Sequence, residues 1–243
     1  MSGAAPGNAR ARGPLALALA GHSTRRVFAP YLWALAEQRS GRTAADYGAS
    51  ASVMVNALQA ARQLVEADAI HVLLDATSGA AFDALKRLGA MSRSHDLVAV
   101  LPGPVALAAM RDCALDDAQE DFEDLARAAL EAGCDVLAMR EPQPDERCAD
   151  SVRAVARLAA FYGARTLALA PQGGAFVLAE GFDALDSDDT APCPHGIAIA
   201  PARAGVPLPV STIVSSSWST PAGGSDADWL RASARQLRND SRE

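Results

Sequence analysis

The sequence predicts an α/β fold in which parallel strands are joined by helical crossovers. Three observations predict it. Short apolar runs alternate with longer segments of helical periodicity. The turns between them are short, as in repeated strand–helix units. The strand candidates are near-continuous apolar runs rather than alternating ones, the pattern of strands covered on both faces.

Taken in order, residues 1–13 are small, polar and contain Gly3, Pro6, Gly7 and Gly13. They read as a disordered N-terminal arm, and residues 14–243 as a single domain. Leu15, Leu17 and Leu19 alternate like a strand, yet the alanines between them suit a helix equally well. Residues 27–32 are the first clear strand. Residues 43–65 form a long amphipathic helix, with Ala45, Met54, Ala57, Leu58, Ala61, Leu64 and Val65 as its apolar stripe. Residues 69–75 are a buried strand ending in Asp75, and residues 82–88 a short helix. Residues 97–101 are a strand stopped by Pro102, Gly103 and Pro104. Residues 116–132 are a helix, with Asp116, Asp117 and Glu120 at its positive end and Gly133 just past its close. Residues 135–139 are a strand ending at Arg140, Glu141 and Pro142. A helix over 146–162 is closed by Gly163, and a strand over 165–170 by Pro171. Residues 176–185 form a weak helix. Residues 196–200 and 210–215 are two more strands, and 226–237 is a final helix capped by Ser225. The strand candidates number seven, or eight if residues 15–19 join them. A closed barrel and an open doubly wound sheet both fit. No GxGxxG follows a strand and no GxxxxGK[ST] occurs, which weakens the phosphate-cradling forms of the open sheet.

Composition bounds the function. The chain has 243 residues, 50% hydrophobic and 21% charged, the proportions of a globular domain. A net charge of -7 repels phosphate backbones and anionic lipid, so neither nucleic acid nor a membrane surface is an expected partner. Aromatics at 5% argue against stacking platforms for single strands. No apolar run approaches the ~20 residues of a membrane helix. Arg10 and Arg12 followed by an apolar run over 14–20 imitate a signal peptide only weakly. Cys113, Cys134, Cys148 and Cys193 show neither CxxC nor zinc-ribbon spacing. They read as reduced thiols, and the expected location is cytoplasmic.

Four segments, in their order and spacing, resemble the uroporphyrinogen decarboxylase superfamily. They are residues 26–31 (Arg-Val-Phe-Ala-Pro-Tyr), residues 46–58 leading into 67–70 and Asp75, residues 101–108 (Leu-Pro-Gly-Pro-Val-Ala-Leu-Ala), and residues 131–136 leading to Glu141. The likeness spans roughly residues 14–185. It implies a (β/α)8-type TIM barrel with its site at the carboxyl ends of the strands, here with one late β/α unit reduced. It also implies decarboxylase or methyltransferase chemistry. Two features of that superfamily are missing. The arginine-rich loop after the first strand is matched only by residues 36–42, with Arg39 and Arg42 at a different spacing. The His-x-Cys-Gly of the zinc-dependent methyltransferases is matched only by residues 170–173, Ala-Pro-Gln-Gly, without either ligand type.

The candidate catalytic residues are Asp75, Glu141 and Tyr31. By the resemblance, Asp75 would hold substrate N–H groups and stabilise developing positive charge; alternatively it caps the turn at Thr77, Ser78 and Gly79. Glu141 could face the same cavity, where two carboxylates would split into an acid and a base; alternatively it is an exposed loop residue paired to Arg140. The Tyr31 phenol could donate a proton or a hydrogen bond, or simply pack on Trp33. Arg39, Arg42, Arg140, His195, Ser217 and Trp218 are candidate substrate-binding residues. His71 shares the parity of Asp75 and reads as a buried neutral imidazole. The acidic run at 186–189 reads as a solvated loop.

The functional expectation is a cofactor-independent decarboxylase (a lyase) of a carboxylated organic or heterocyclic substrate, with no metal and no organic cofactor. The alternatives are a corrinoid-linked methyltransferase-like protein and a non-catalytic shortened barrel serving a partner. A homodimer, or a role as partner subunit, is expected because a reduced unit would leave strand edges open.

Overall fold

A computed structural model describes residues 13–20, 22, 25–74, 79–91, 94–141, 145–169, 183–185, 197–199, 213–216 and 226–240. The element order is α1 (Pro14–Leu19), β1 (Val27–Phe28), α2 (Trp33–Ser40), α3 (Ala44–Ala49), α4 (Ala51–Val65), β2 (Ala69–Leu73), α5 (Gly79–Ala90), β3 (Asp96–Pro102), α6 (Pro104–Arg111), α7 (Leu115–Glu131), β4 (Val136–Arg140), a 3-10 turn (Glu146–Cys148), α8 (Ala149–Tyr162), β5 (Arg165–Leu169), β6 (Asp183–Leu185), β7 (Ile197–Ile199), β8 (Ile213–Ser216) and α9 (Asp226–Asp240).

The strands pair in parallel as two sheets, β2-β3-β4-β5-β6 and β1-β8-β7. The Asp68 N–H, just before β2, donates to the Phe28 carbonyl of β1 at 2.8 Å. That bond ties the two sheets at one side. Register places Ala69 beside Asp96, Val98 beside Val136, and Ala138 beside Leu167.

Alternation along these strands creates two cores. Ile70, Val72, Leu74, Leu97, Ala99, Leu101, Leu137 and Met139 pack with the helices in one cluster. Val27, Ala69, Val98, Val100, Val136, Ala138, Leu167 and Ile213 face the other way and meet Leu15, Ala16, Ala18 and Leu19 of α1. Every residue of β3 is buried, which is why the run reads as uniformly apolar. The second cluster is therefore an inner core lined by strands of both sheets, with α1 as its floor.

Asp96 pins that floor. Its Oδ2 accepts from the Leu15 N–H at 2.6 Å and the Ala16 N–H at 3.3 Å, and its Oδ1 from the Gly13 N–H at 3.1 Å. These are first-turn amides with no partner inside the helix. Elsewhere the helices are closed by familiar devices. Thr43 and Asp46 make a reciprocal capping box on α3. Ser50 caps α4. Arg231 and Arg238 of α9 donate to the Leu64 and Glu66 carbonyls at the negative end of α4, at 3.2 and 2.9 Å.

Several sequence expectations are corrected. Residues 15–19 are helical, because Pro14 fits the first position of a helix and Asp96 supplies its cap from β3. The long helix over 43–65 is two helices, broken where Ser50 takes an extended conformation to cap α4. Residues 36–40 lie within α2 and are not an arginine-bearing loop. The last residues of the expected helix over 176–185 form the strand β6, paired to β5. The helix α6 directly after Pro102 and Gly103 has no counterpart in the expectation.

Two glycines make opposite predictions. A Cβ on Gly89 of α5 would collide with the Ala132 backbone carbonyl, whereas one on Gly48 of α3 would meet nothing within 4 Å. Each alanine gains about 1 kcal/mol of helix propensity, but overpacking costs about 1–3 kcal/mol, and a backbone carbonyl cannot swing aside. Urea unfolding should show Gly48→Ala stabilised by up to about 1 kcal/mol and Gly89→Ala destabilised. A stabilised Gly89→Ala would contradict this packing.

Candidate functional site

Tyr31, three residues past β1, stands between His71 in the middle of β2 and Arg140 at the carboxyl end of β4, touching the first and feeling the charge of the second. His71 lies on the inner parity of β2, between Ala69 and Leu73, and is buried. Its ring N–H donates to the Pro30 carbonyl, and burial pushes its pKa down to about 4. The imidazole is therefore neutral at physiological pH. The Tyr31 ring meets it edge-on, with centroids 6.1 Å apart and planes at 65°. Burial raises the Tyr31 pKa, the Arg140 charge opposes that rise, and Glu37 adds to it. The phenol stays protonated and can donate. Arg140 ends β4 on the inward parity of Val136 and Ala138 and is itself exposed to solvent. A guanidinium, a phenolic O–H and a neutral imidazole thus converge, a set suited to gripping an anionic oxygen and orienting what is attached to it.

Trp33 reaches Tyr47 and the strand that carries His71. Its ring meets Tyr47 at 5.5 Å and 78°, and its Nε1–H donates to the His71 carbonyl at 2.9 Å. The indole thus braces the strand that carries His71.

Glu141 follows β4 and is 4% exposed, so it is not the open loop residue that one reading allowed. Its Oε2 accepts from the Val105 N–H at 2.9 Å and the Ala106 N–H at 3.4 Å. Pro104 opens α6 and has no N–H, so these are the first amides the helix presents. A carboxylate there also meets the positive end of the helix. Gly103 makes the approach possible: a Cβ on it would lie 2.9 Å from Glu141 Cδ. The Gly103 N–H donates to the Arg140 carbonyl at 2.9 Å. Together these bonds fasten the ends of β3 and β4 into one rigid corner, from which the Arg140 side chain projects.

The other candidates stand apart or lie outside the described residues. Arg39 and Arg42 are exposed, at the close of α2 and just beyond it. Asp75, His195, Ser217 and Trp218 lie outside the described residues, so the proposed meeting of Asp75 with Glu141 does too. Residues 170–173 are likewise outside. Among the described residues, no group of three or more His, Cys, Asp or Glu side chains is placed to hold a metal ion. No helix among the described residues is long and apolar enough to cross a membrane.

Two arrangements escaped the sequence reading. The Gly103–Glu141 corner joins residues from two strands, and only the Gly between two prolines hinted at a close approach. Asp96 opens an otherwise apolar strand on the parity of Val98 and Val100, and that parity was the available signal.

His71 yields a pH prediction. Its folded pKa, about 4, lies below the ordinary 6.5. Its contribution to stability is therefore fully present above pH 6.5 and is lost as pH falls through 4; about 3 kcal/mol is involved. Between pH 7 and about 4.5, urea unfolding should show wild type losing roughly 2 kcal/mol more than His71→Gln. Equal losses would contradict a buried neutral imidazole. At the corner, Gly103→Ala should cost about 1–3 kcal/mol, while Glu141→Gln, which keeps the shape and loses the charge, should cost about 1 kcal/mol. A neutral Gly103→Ala would contradict the close approach.

No family model matches this chain, and no curated protein matches it. Among solved structures, a methyltransferase from Methanosarcina mazei is similar over 93% of this chain and 98% of that chain, with a TM-score of 0.60 and 15% identity. At that identity the likeness is one of fold: a mixed α/β architecture built on a parallel sheet, shared along nearly the whole of both chains.

Proposed function

We propose that this chain is a methyl-transfer protein of the (β/α)-barrel type, holding a small anionic ligand above the carboxyl ends of β1, β2 and β4. The observation that carries the reading is the approach of Tyr31, from the segment after β1, to His71 of β2 and Arg140 of β4, in a fold shared with a methyltransferase. Strand carboxyl ends are where barrels of this type place their sites. The strand orders β7-β8-β1 and β2 to β6 are consecutive, as a closed barrel requires.

Methyl transfer asks that donor and acceptor be aligned and that shifting charge be balanced. In this reading Arg140 neutralises the ligand's anionic end. Tyr31 fixes its orientation by donating a hydrogen bond. Neutral His71 forms the polar floor beneath them, and the Gly103–Glu141 corner holds Arg140 in place. The chain's own residues supply positioning and electrostatics, while the reactive methyl group arrives with the donor.

The decarboxylase expectation gains no support, since Glu141, its second carboxylate, caps α6 through Oε2 and the position of its first, Asp75, is not described. The experiment that separates the two follows 13C-methyl-labelled donors that each carry a carboxylate (N-methylamino, methylthio and methoxy acids), each with a free thiol acceptor, by NMR. Carbon dioxide release from carboxylated heterocycles is measured in parallel. The reading predicts transfer of the label from one donor class. It also predicts that Arg140→Gln binds that donor at least about 10-fold more weakly, with unchanged stability, as loss of a charge-assisted bond implies. Carbon dioxide release without methyl transfer would overturn it.

A further inference from the structure

The helix α2 follows Tyr31 directly, and its side chains divide by face. Leu35 and Ala36 are buried in the core. Trp33, Glu37 and Ser40 follow one another along a second face, at i, i+4 and i+7. Contacts fix both ends of that row. The Trp33 ring meets Tyr47 edge-on, and its Nε1–H reaches the His71 carbonyl at 2.9 Å. At the other end, Ser40 Oγ and the Tyr47 hydroxyl share a hydrogen bond of 2.9 Å. Glu37 stands between these ends and is half-buried.

The backbone carbonyl of Glu37 is used, accepting the Gly41 N–H at 2.9 Å. Its carboxylate is not: among the described residues it accepts no hydrogen bond and joins no ion pair. A carboxylate partly withdrawn from water without a partner costs free energy, and a cation brought to it recovers that cost. The charge of Glu37 bears on the Tyr31 hydroxyl, where the Arg140 charge bears with the opposite sign. Two opposite charges therefore lie around one phenol without closing an ion pair with each other.

We propose that Glu37 is the cation-recognising group of the site, and that the ligand is a zwitterion, an acid bearing a methylated ammonium group, with its carboxylate on Arg140 and its ammonium on Glu37. The inference rests on the reading of Tyr31, His71 and Arg140 as the site, and it selects one of the three donor classes named above. An ether or thioether acid would satisfy Arg140 and leave Glu37 unmet, whereas the ammonium acid meets both charges. Trp33, one turn away on the same helix face, supplies aromatic surface of the kind that favours a methylated ammonium. Tyr31, between the two charges, is placed to hydrogen-bond the carboxylate end.

Isothermal titration of the full chain tests the inference with matched probes of two lengths: N,N-dimethylglycine against methoxyacetate, and 4-(dimethylamino)butanoate against 4-methoxybutanoate. Wild type should bind the amino acid of at least one pair about 10-fold or more tighter than its ether, as a charge-assisted bond implies. Glu37→Gln should bring that ratio close to one, and Arg140→Gln should weaken both members of the pair. Equal affinities within both pairs in wild type, with binding weakened in Arg140→Gln, would overturn the role of Glu37 and leave the site reading standing. A preference that persists in Glu37→Gln would overturn it likewise. Affinities that Arg140→Gln leaves intact, or no binding of any probe, would overturn the site reading and this inference with it.

Discussion

The structure depends on strands that are buried on both faces. In such a sheet there is no solvent side on which a polar group can rest. Each polar side chain in β2 to β5 must therefore be individually satisfied or sit at a strand end. Asp96 opens β3 and is held by three α1 amides. His71 stays neutral and donates to Pro30. Glu141 lies one residue past β4 and is taken up by α6. Arg140 ends β4 and reaches water. The same rule that makes the strands read as apolar runs drives the chemistry to their ends.

The two ends then divide the work. At the carboxyl ends, Gly103, Glu141 and α6 make a rigid corner that carries the exposed Arg140 above the buried His71 and its neighbour Tyr31. At the amino ends, Asp96 and α1 make a floor.

Much of the frame was legible in the sequence, because burial on both faces leaves a strong local signal. Residues 97–101 fall inside β3, and residues 135–139 lie within one residue of β4. Gly133 and Gly163 end their helices with positive φ, 89° and 74°, which is why glycine stands at both places. What was not legible depends on partners distant in the chain. Residues 15–19 alternate like a strand, but a carboxylate about 80 positions away decides for a helix. Ser50 breaks a stripe that periodicity alone would continue. In the site, His71 could be read as a buried neutral imidazole on the inner parity of its strand, since parity along a strand is local information. The role of Glu141 could not, because capping α6 requires knowing that β3 and β4 are neighbours in register. The family resemblance pointed to a fold of this kind, and the likeness to the Methanosarcina mazei methyltransferase agrees with it at the level of architecture.

The most direct test of the central claim is a crystal structure of this protein with a carboxylated methyl donor of the class proposed for it. The account predicts ligand density above the ends of β1, β2 and β4, with an anionic oxygen within hydrogen-bond distance of both the Arg140 guanidinium and the Tyr31 hydroxyl. A ligand bound elsewhere, with Arg140 and Tyr31 untouched, would contradict it.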